Sequence, residues 1–271
     1  VFYQDLGLTQ TGSLADGRGT YSGKGDFWLT NDQQGGATAY TFSVGKTFGD
    51  VRLFTAYTNM ETTDVYPLTS TQAESSYGYT QRWDGENLSA ERSSFMVEHK
   101  FIATLDYTAQ LIGENDTRFS LVYIRKSGEP YSVSFDEPGY NSVSGNSRFY
   151  ADYSLAYIPT GASDPNVSFT SDAVASAVMA HVNGSGLAGY KGTYAPRNAF
   201  TSPWYGRLDL RITQDINIRD GHKAIIYLDL LNLLNYLDDK KGIVKEYGYN
   251  NSRQIILDGV TADGKFIVSG V

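Results

Sequence analysis

Apolar side chains fall on alternate positions along residues 205–234 (YGRLDLRITQDINIRDGHKAIIYLDLLNLL). In the first half Leu208, Leu210, Ile212 and Ile216 alternate with Arg207, Asp209, Arg211, Thr213 and Asp215. A strand turns successive side chains to opposite faces, so one face is aliphatic and the other charged. Asp220-Gly221 suits the positive backbone angles of a tight turn. The return, 223–234, sets Ala224, Ile226, Leu228 and Leu230 against Tyr227 and Asp229. The pattern predicts a long two-stranded hairpin.

The same rhythm recurs upstream. Residues 1–36 are rich in Gly, Asp, Thr and Gln and read as loop. From 37 to 48, Tyr40, Phe42, Val44 and Phe48 alternate with Ala39, Thr41, Ser43 and Gly45; after Gly49-Asp50 a weaker alternation returns over 50–60. The longest run is 93–111, with Phe95, Val97, His99, Phe101 and every second residue to Leu111 on one face. A short turn at 113–116 leads into a return over 117–131, with Phe119, Leu121 and Tyr123 on one side. Residues 61–92 and 136–203 read as long loops, the second holding a short helix over 171–182 capped by Ser171 or Asp172. A small hairpin pairs 254–257 with 265–268 near the end.

Each long run exceeds the five or six residues (about 18 Å) of an ordinary globular strand and reaches the roughly nine to eleven of a membrane strand. Short turns at one end and long connections at the other are the habit of outer-membrane barrels, whereas long loops are uncommon in compact soluble domains. The expected fold is therefore all-β: about six antiparallel transmembrane strands from a larger barrel, with long extracellular loops and one loop helix. The apolar faces would meet lipid and the charged faces a wet lumen.

Composition supports this and excludes other classes. There are 21 Tyr, 13 Phe and 28 Gly but only 7 Pro, a bias that suits strands and interfacial rings. No run of eighteen apolar residues exists, so no transmembrane helix is expected. A net charge of −8 argues against nucleic acid, which wants a basic stripe. With no cysteine there is no disulfide frame or thiolate site. The start at Val1, without Met or signal peptide, points to a fragment or a processed form.

Several segments also resemble TonB-dependent outer-membrane receptors, and their Oar-like subgroup most. They are 38–48 (TAYTFSVGKTF), Ala56-Tyr57-Thr58, Asp64-Val65, Thr69-Ser70, 117–121, 127–135 (SGEPYSVSF), 157–160 (YIPT), 164–167 (DPNV), Arg197-Asn198 and 232–235 (NLLN). The resemblance implies the C-terminal part of a 22-stranded barrel in the Gram-negative outer membrane. Membrane strands would run over 37–48, 50–60, 93–111, 117–131, 204–216 and 223–234. A plug domain would fill the barrel, and the TonB system would act through an N-terminal part. The plug, the TonB-binding segment and the closing strand are missing from these 271 residues, and Val271 is expected to fall within the last extracellular loop. Partners would be outer-membrane lipid, the plug, and a solute, glycan or peptide.

No catalytic constellation is present. His99, His181 and His222 lack metal-ligand spacing, and neither a nucleophile elbow nor a phosphate loop occurs. Gly17-Arg18-Gly19 and Gly23-Lys24-Gly25 read as loop glycines, so no enzyme activity, cofactor or metal is assigned. The acid pairs Asp136/Glu137 and Asp238/Asp239 lie in loops, where they hold calcium or are simply solvated. Glu98, Lys100, Asp106, Arg118, Arg207, Asp209 and Arg211 form the expected lumen-facing wall, touching the plug, pairing for register or meeting substrate. Tyr77, Tyr79, Trp83, Tyr190, Tyr194 and Trp204 are the loop aromatics that would stack on ligand; packing among themselves is the competing reading. Arg197 and Asn198 are expected to fix loop backbone. The alternatives to transport are a surface adhesin and a secreted carbohydrate-binding sandwich.

Overall fold

A computed structural model of the chain describes residues 31–68, 70–83, 89–136, 153–219 and 221–271; the side chains of Ala73, Glu74 and Tyr77 also lie outside the described set. Among these residues the fold is mostly antiparallel β-sheet with three α-helices. In chain order the elements are β1 (Gly36–Phe48), β2 (Val51–Asp64), α1 (Ala73–Gly78), β3 (Glu91–Arg92), β4 (His99–Ile112), β5 (Asn115–Lys126) and β6 (Pro130–Asp136). There follow β7 (Val167–Phe169), α2 (Asp172–Gly184), β8 (Phe200–Thr201), β9 (Tyr205–Asn217), β10 (Lys223–Leu230), α3 (Leu233–Leu237), β11 (Asn251–Val260) and β12 (Phe266–Gly270).

Six long strands form one antiparallel sheet in the order β1-β2-β4-β5-β9-β10, with β3 added at the end of β2. Gly49 and Gly113, both at positive φ, close the first two hairpins across two-residue turns. β1 and β10 are the free edges of this open sheet. Its register aligns five leucines, Leu53, Leu105, Leu121, Leu210 and Leu230, in one row. On one side of that row Tyr57 faces Phe101, and on the other Tyr107 faces Phe119. Those two aromatic rows stand six residues apart on β4, roughly 20 Å along the strand. This face is bare: Phe42 is 71% exposed, and Val44, Tyr107 and Leu228 are exposed with it.

The core lies elsewhere. A second unit, here the cap, is a five-stranded sheet in the order β7-β12-β11-β6-β8. β11 and β12 form the hairpin expected near the end, Leu257 opposite Val268, while β11 with β6 and β12 with β7 run parallel. Val133, Phe135, Ile158, Leu187, Ile255 and Val268 are buried at its centre. α2 begins at the expected Ser171, whose hydroxyl accepts from the Val174 amide at 3.2 Å, and lays Ala175, Val178 and Val182 into that core. These are spaced i, i+3 and i+7, one face of a helix.

Four expectations are corrected. The strand expected over 93–111 begins only at His99, because Phe95 and Met96 lie in a turn closed by the Met96 amide on the Ser93 carbonyl at 3.1 Å. The strand expected over 117–131 ends at Lys126, and β6 then joins the cap sheet. There the backbone crosses the incoming 202–203 segment so closely that a Cβ on Gly128 would lie 2.3 Å from the Ser202 carbonyl oxygen. The strand expected over 223–234 ends at Leu230, because Asn232 takes a left-handed backbone and starts α3. Lastly, the loop expected over 136–203 supplies cap core residues from Ala156 onward.

Because any side chain at 128 collides with backbone, Gly128→Ala is expected to destabilise the cap by about 2–3 kcal/mol. Urea unfolding followed by Trp83 fluorescence measures this, and an unchanged midpoint would refute the close crossing.

Candidate functional site

Lys100, Asp106, Arg118, Arg207, Asp209 and Arg211 all project from one face of the large sheet, as pairing of β4, β5 and β9 requires. Glu98 sits one residue before β4, held by Arg92 at 3.0 Å. Most of the wall is paired. Arg211 grips Asp229 of β10 through two bonds of 2.6 and 2.7 Å and lies over the Tyr227 ring. Arg207 meets Asp209 at 2.8 Å, and Asp209 also accepts the Asn232 amide at 2.8 Å where β10 has ended. Arg118 reaches Asp215 at 2.7 Å, and Lys223 joins the same carboxylate. Lys100 and Asp106 have no ion-pair partner among the described residues. Asp215, Asp229 and Lys223 belong to this wall too; their parity with Arg211 and Tyr227 along each strand was the signal for them.

The six loop aromatics do not gather into one site. Trp83 and Tyr194 stack at 3.9 Å between centroids. Tyr79 stacks on Tyr249 at 4.9 Å, and Tyr190 meets Phe200 edge-on. Trp204 leaves the cap and stacks on His99 at 5.7 Å, on the apolar face of the sheet. The Tyr77 side chain is outside the described residues. Packing thus explains Tyr79 and Tyr190, while Trp83 and Tyr194 also line an open cleft of about 230 Å³ with Val65, Arg82, Glu91 and Arg197. Burial, with Tyr157 beside it, pushes the Tyr194 phenol up, so it stays protonated. Burial likewise raises Glu91, although the Arg197 amide and guanidinium and the Ser89 hydroxyl favour its carboxylate. The cleft thus joins an aromatic wall to two guanidiniums and a carboxylate. An aromatic wall beside charged groups is equipment for binding, and within it the Ser89 hydroxyl donates to the Glu91 carboxylate at 3.4 Å.

Arg197 and Asn198 hold the cleft in place. Arg197 is 4% exposed; its Nη2 bonds the Asp64 carbonyl at 2.5 Å and carboxylate at 2.9 Å, while its amide donates to Glu91. Asn198 is fully buried at φ 58°, with its side-chain amide donating to the Arg92 carbonyl at 2.7 Å and the Ser94 hydroxyl at 3.1 Å. Its own backbone amide donates to Ser132 at 2.9 Å. Expected to fix loop backbone, these two residues instead bond carbonyls at the ends of β2 and β3 through their side chains and so join cap to sheet. Asp164 plays the same part within the cap. It accepts the amides of Thr160 and Asn166 at 2.7 and 2.8 Å and the hydroxyls of Thr160 and Tyr157.

Of the histidines, His181 lies 2.9 Å from the Gln254 side-chain oxygen, and the His222 amide closes a turn on Arg219. Asp238 accepts the Lys240 amide and pairs with Lys241, and Glu137 lies outside the described residues. Among the described residues no three His, Cys, Asp or Glu side chains gather to hold a metal ion. The chain matches no protein-family model, no curated protein and no solved structure.

Two outcomes follow. Asn198→Ala removes buried bonds and strains a left-handed position, so about 2–4 kcal/mol of cap stability is lost. Limited proteolysis of the 61–92 segment should accelerate accordingly, and wild-type resistance would refute the role. For Asp164, burial pushes the carboxyl up, but the four donors outweigh it and hold it below the ordinary 3.8. Its contribution is therefore present above the unfolded value and lost as pH falls through the folded one. Unfolding midpoints between pH 2 and 6 should drop less steeply in Asp164→Asn than in wild type.

Proposed function

We propose that this chain is part of the wall of an outer-membrane β-barrel transporter of the TonB-dependent, Oar-like type, with the cap on its outer side. The observation that carries this reading is the five-leucine row between two aromatic rows, on the face opposite the paired charges. Apolar bands of roughly 25 Å flanked by aromatic girdles are how barrel walls meet a bilayer. In a water-filled setting the same face would leave Phe42, Val44, Tyr107 and Leu228 bare together, which calls for a covering surface.

The free edges β1 and β10 then pair with further barrel strands, since lipid cannot satisfy bare backbone. The charged face turns inward, where cross-strand ion pairs hold register and Lys100 and Asp106 remain for a plug domain. Energy comes from the TonB system through that plug. The cap cleft, with Trp83, Tyr194, Arg82 and Arg197, receives a solute, glycan or peptide at the Gram-negative cell surface. The work is binding and gating rather than bond chemistry.

Because the sequence has no cysteine, single-site labelling has a clean background. Spin labels at Leu105, Leu121 and Leu210 of the vesicle-reconstituted chain should be relaxed by oxygen and not by a water-soluble nickel complex. Labels at Thr104, Ser120 and Asp209 should behave oppositely. Equal access of the nickel complex to both sets would sink the membrane reading.

A further inference from the structure

Arg125 interrupts the apolar face. It projects from β5 on the side of Phe119, Leu121 and Tyr123, directly opposite Phe101, and is exposed. Its guanidinium stands over the Trp204 ring at 5.5 Å, and no carboxylate pairs with it among the described residues. Trp204 is 49% exposed and stacks on His99, which stacks in turn on Tyr57 at 6.1 Å. The Tyr57 hydroxyl lies 2.8 Å from His99 Nδ1. The acid beside this stack, Glu98, lies 3.5 Å from His99 Nε2 and is already held by Arg92.

A cation on a surface that meets lipid is costly unless an anion joins it, and the guanidinium fork matches phosphate oxygens in pairs. A tryptophan at the same level belongs where headgroup and acyl chain meet. We propose that Arg125 and Trp204, backed by the His99–Tyr57 stack, form a subsite for the anionic phosphate of a lipid headgroup at the cap end of the apolar band. This rests on the membrane reading above. The three stacked rings build one continuous floor from β2 to the start of β9, so the guanidinium is presented at a set depth. Opposite Arg125 on β4, Phe101 offers the acyl chain an apolar neighbour.

The test uses the whole chain with Trp28 and Trp83 changed to Phe, leaving Trp204 as reporter, in vesicles containing brominated lipid. Brominated phosphatidic acid should quench Trp204 at least threefold more, per mole, than brominated phosphatidylcholine. Arg125→Gln should bring that ratio close to one, Arg125→Lys should retain part of it, and inorganic phosphate at 10 mM should leave it unchanged. Equal quenching by both lipids in the parent, or a ratio untouched by Arg125→Gln, overturns the subsite and spares the membrane reading. Loss of the preference in inorganic phosphate overturns the headgroup assignment in favour of a free-anion site. No quenching by either lipid overturns the subsite together with the membrane placement.

Discussion

Two consecutive residues, Arg197 and Asn198, hold the molecule's parts in register. The large sheet supplies no core of its own, so its cap-side end has to be ordered by polar bonds. Arg197 closes on the end of β2 through Asp64, and Asn198 closes on Arg92 and Ser94 beyond β3 while β6 approaches through Ser132. An asparagine tolerates the left-handed backbone there better than most residues, and its buried amide is costly to leave unbonded. The cleft between Trp83, Tyr194 and Glu91 owes its shape to this clamp.

The sheet obeys different physics. Few of its residues are fully buried on either face, so ladder hydrogen bonds and cross-strand pairs set its register. On the charged face Arg118, Asp215 and Lys223 tie three neighbouring strands at the turn end, and Arg211 with Asp229 fastens the edge strand β10. A one-residue slip would send every leucine of the central row to the charged face. An aliphatic band and a paired-charge face lie on opposite sides of one set of strands, and the proposed membrane placement rests on that pattern.

Three residues of the short motifs, Gly128, Asp164 and Asn232, act as shape devices. Gly128 permits two segments to cross between the end of β5 and the start of β9. Asp164 organises the 157–167 loop, with the Asn166 amide closing an Asx turn on its carboxylate. Asn232 ends β10 in a left-handed turn and bonds the Gly242 carbonyl. Gly128 and Asn232 allow a strand to stop, and Asp164 holds a loop folded.

What the sequence determined by itself was the set of long strands, their faces and their turns, because a period of two is a local property and needs no partner to be read. It determined the polar wall for the same reason: parity along one strand puts Arg207, Asp209 and Arg211 together. Strand ends at His99, Lys126 and Leu230 were decided only by tertiary structure, since alternation continues past them and is stopped by a turn, a backbone crossing and a left-handed residue. The cap core was hidden because its members come from segments far apart in the chain, joined partly by parallel pairings that leave no local period. The sorting of the aromatics was hidden likewise: Trp83 and Tyr194, 111 positions apart in the numbering, meet in the cleft, whereas Trp204 next to β9 belongs to the sheet. Composition marked them as loop rings, but distance in space assigned each to its place.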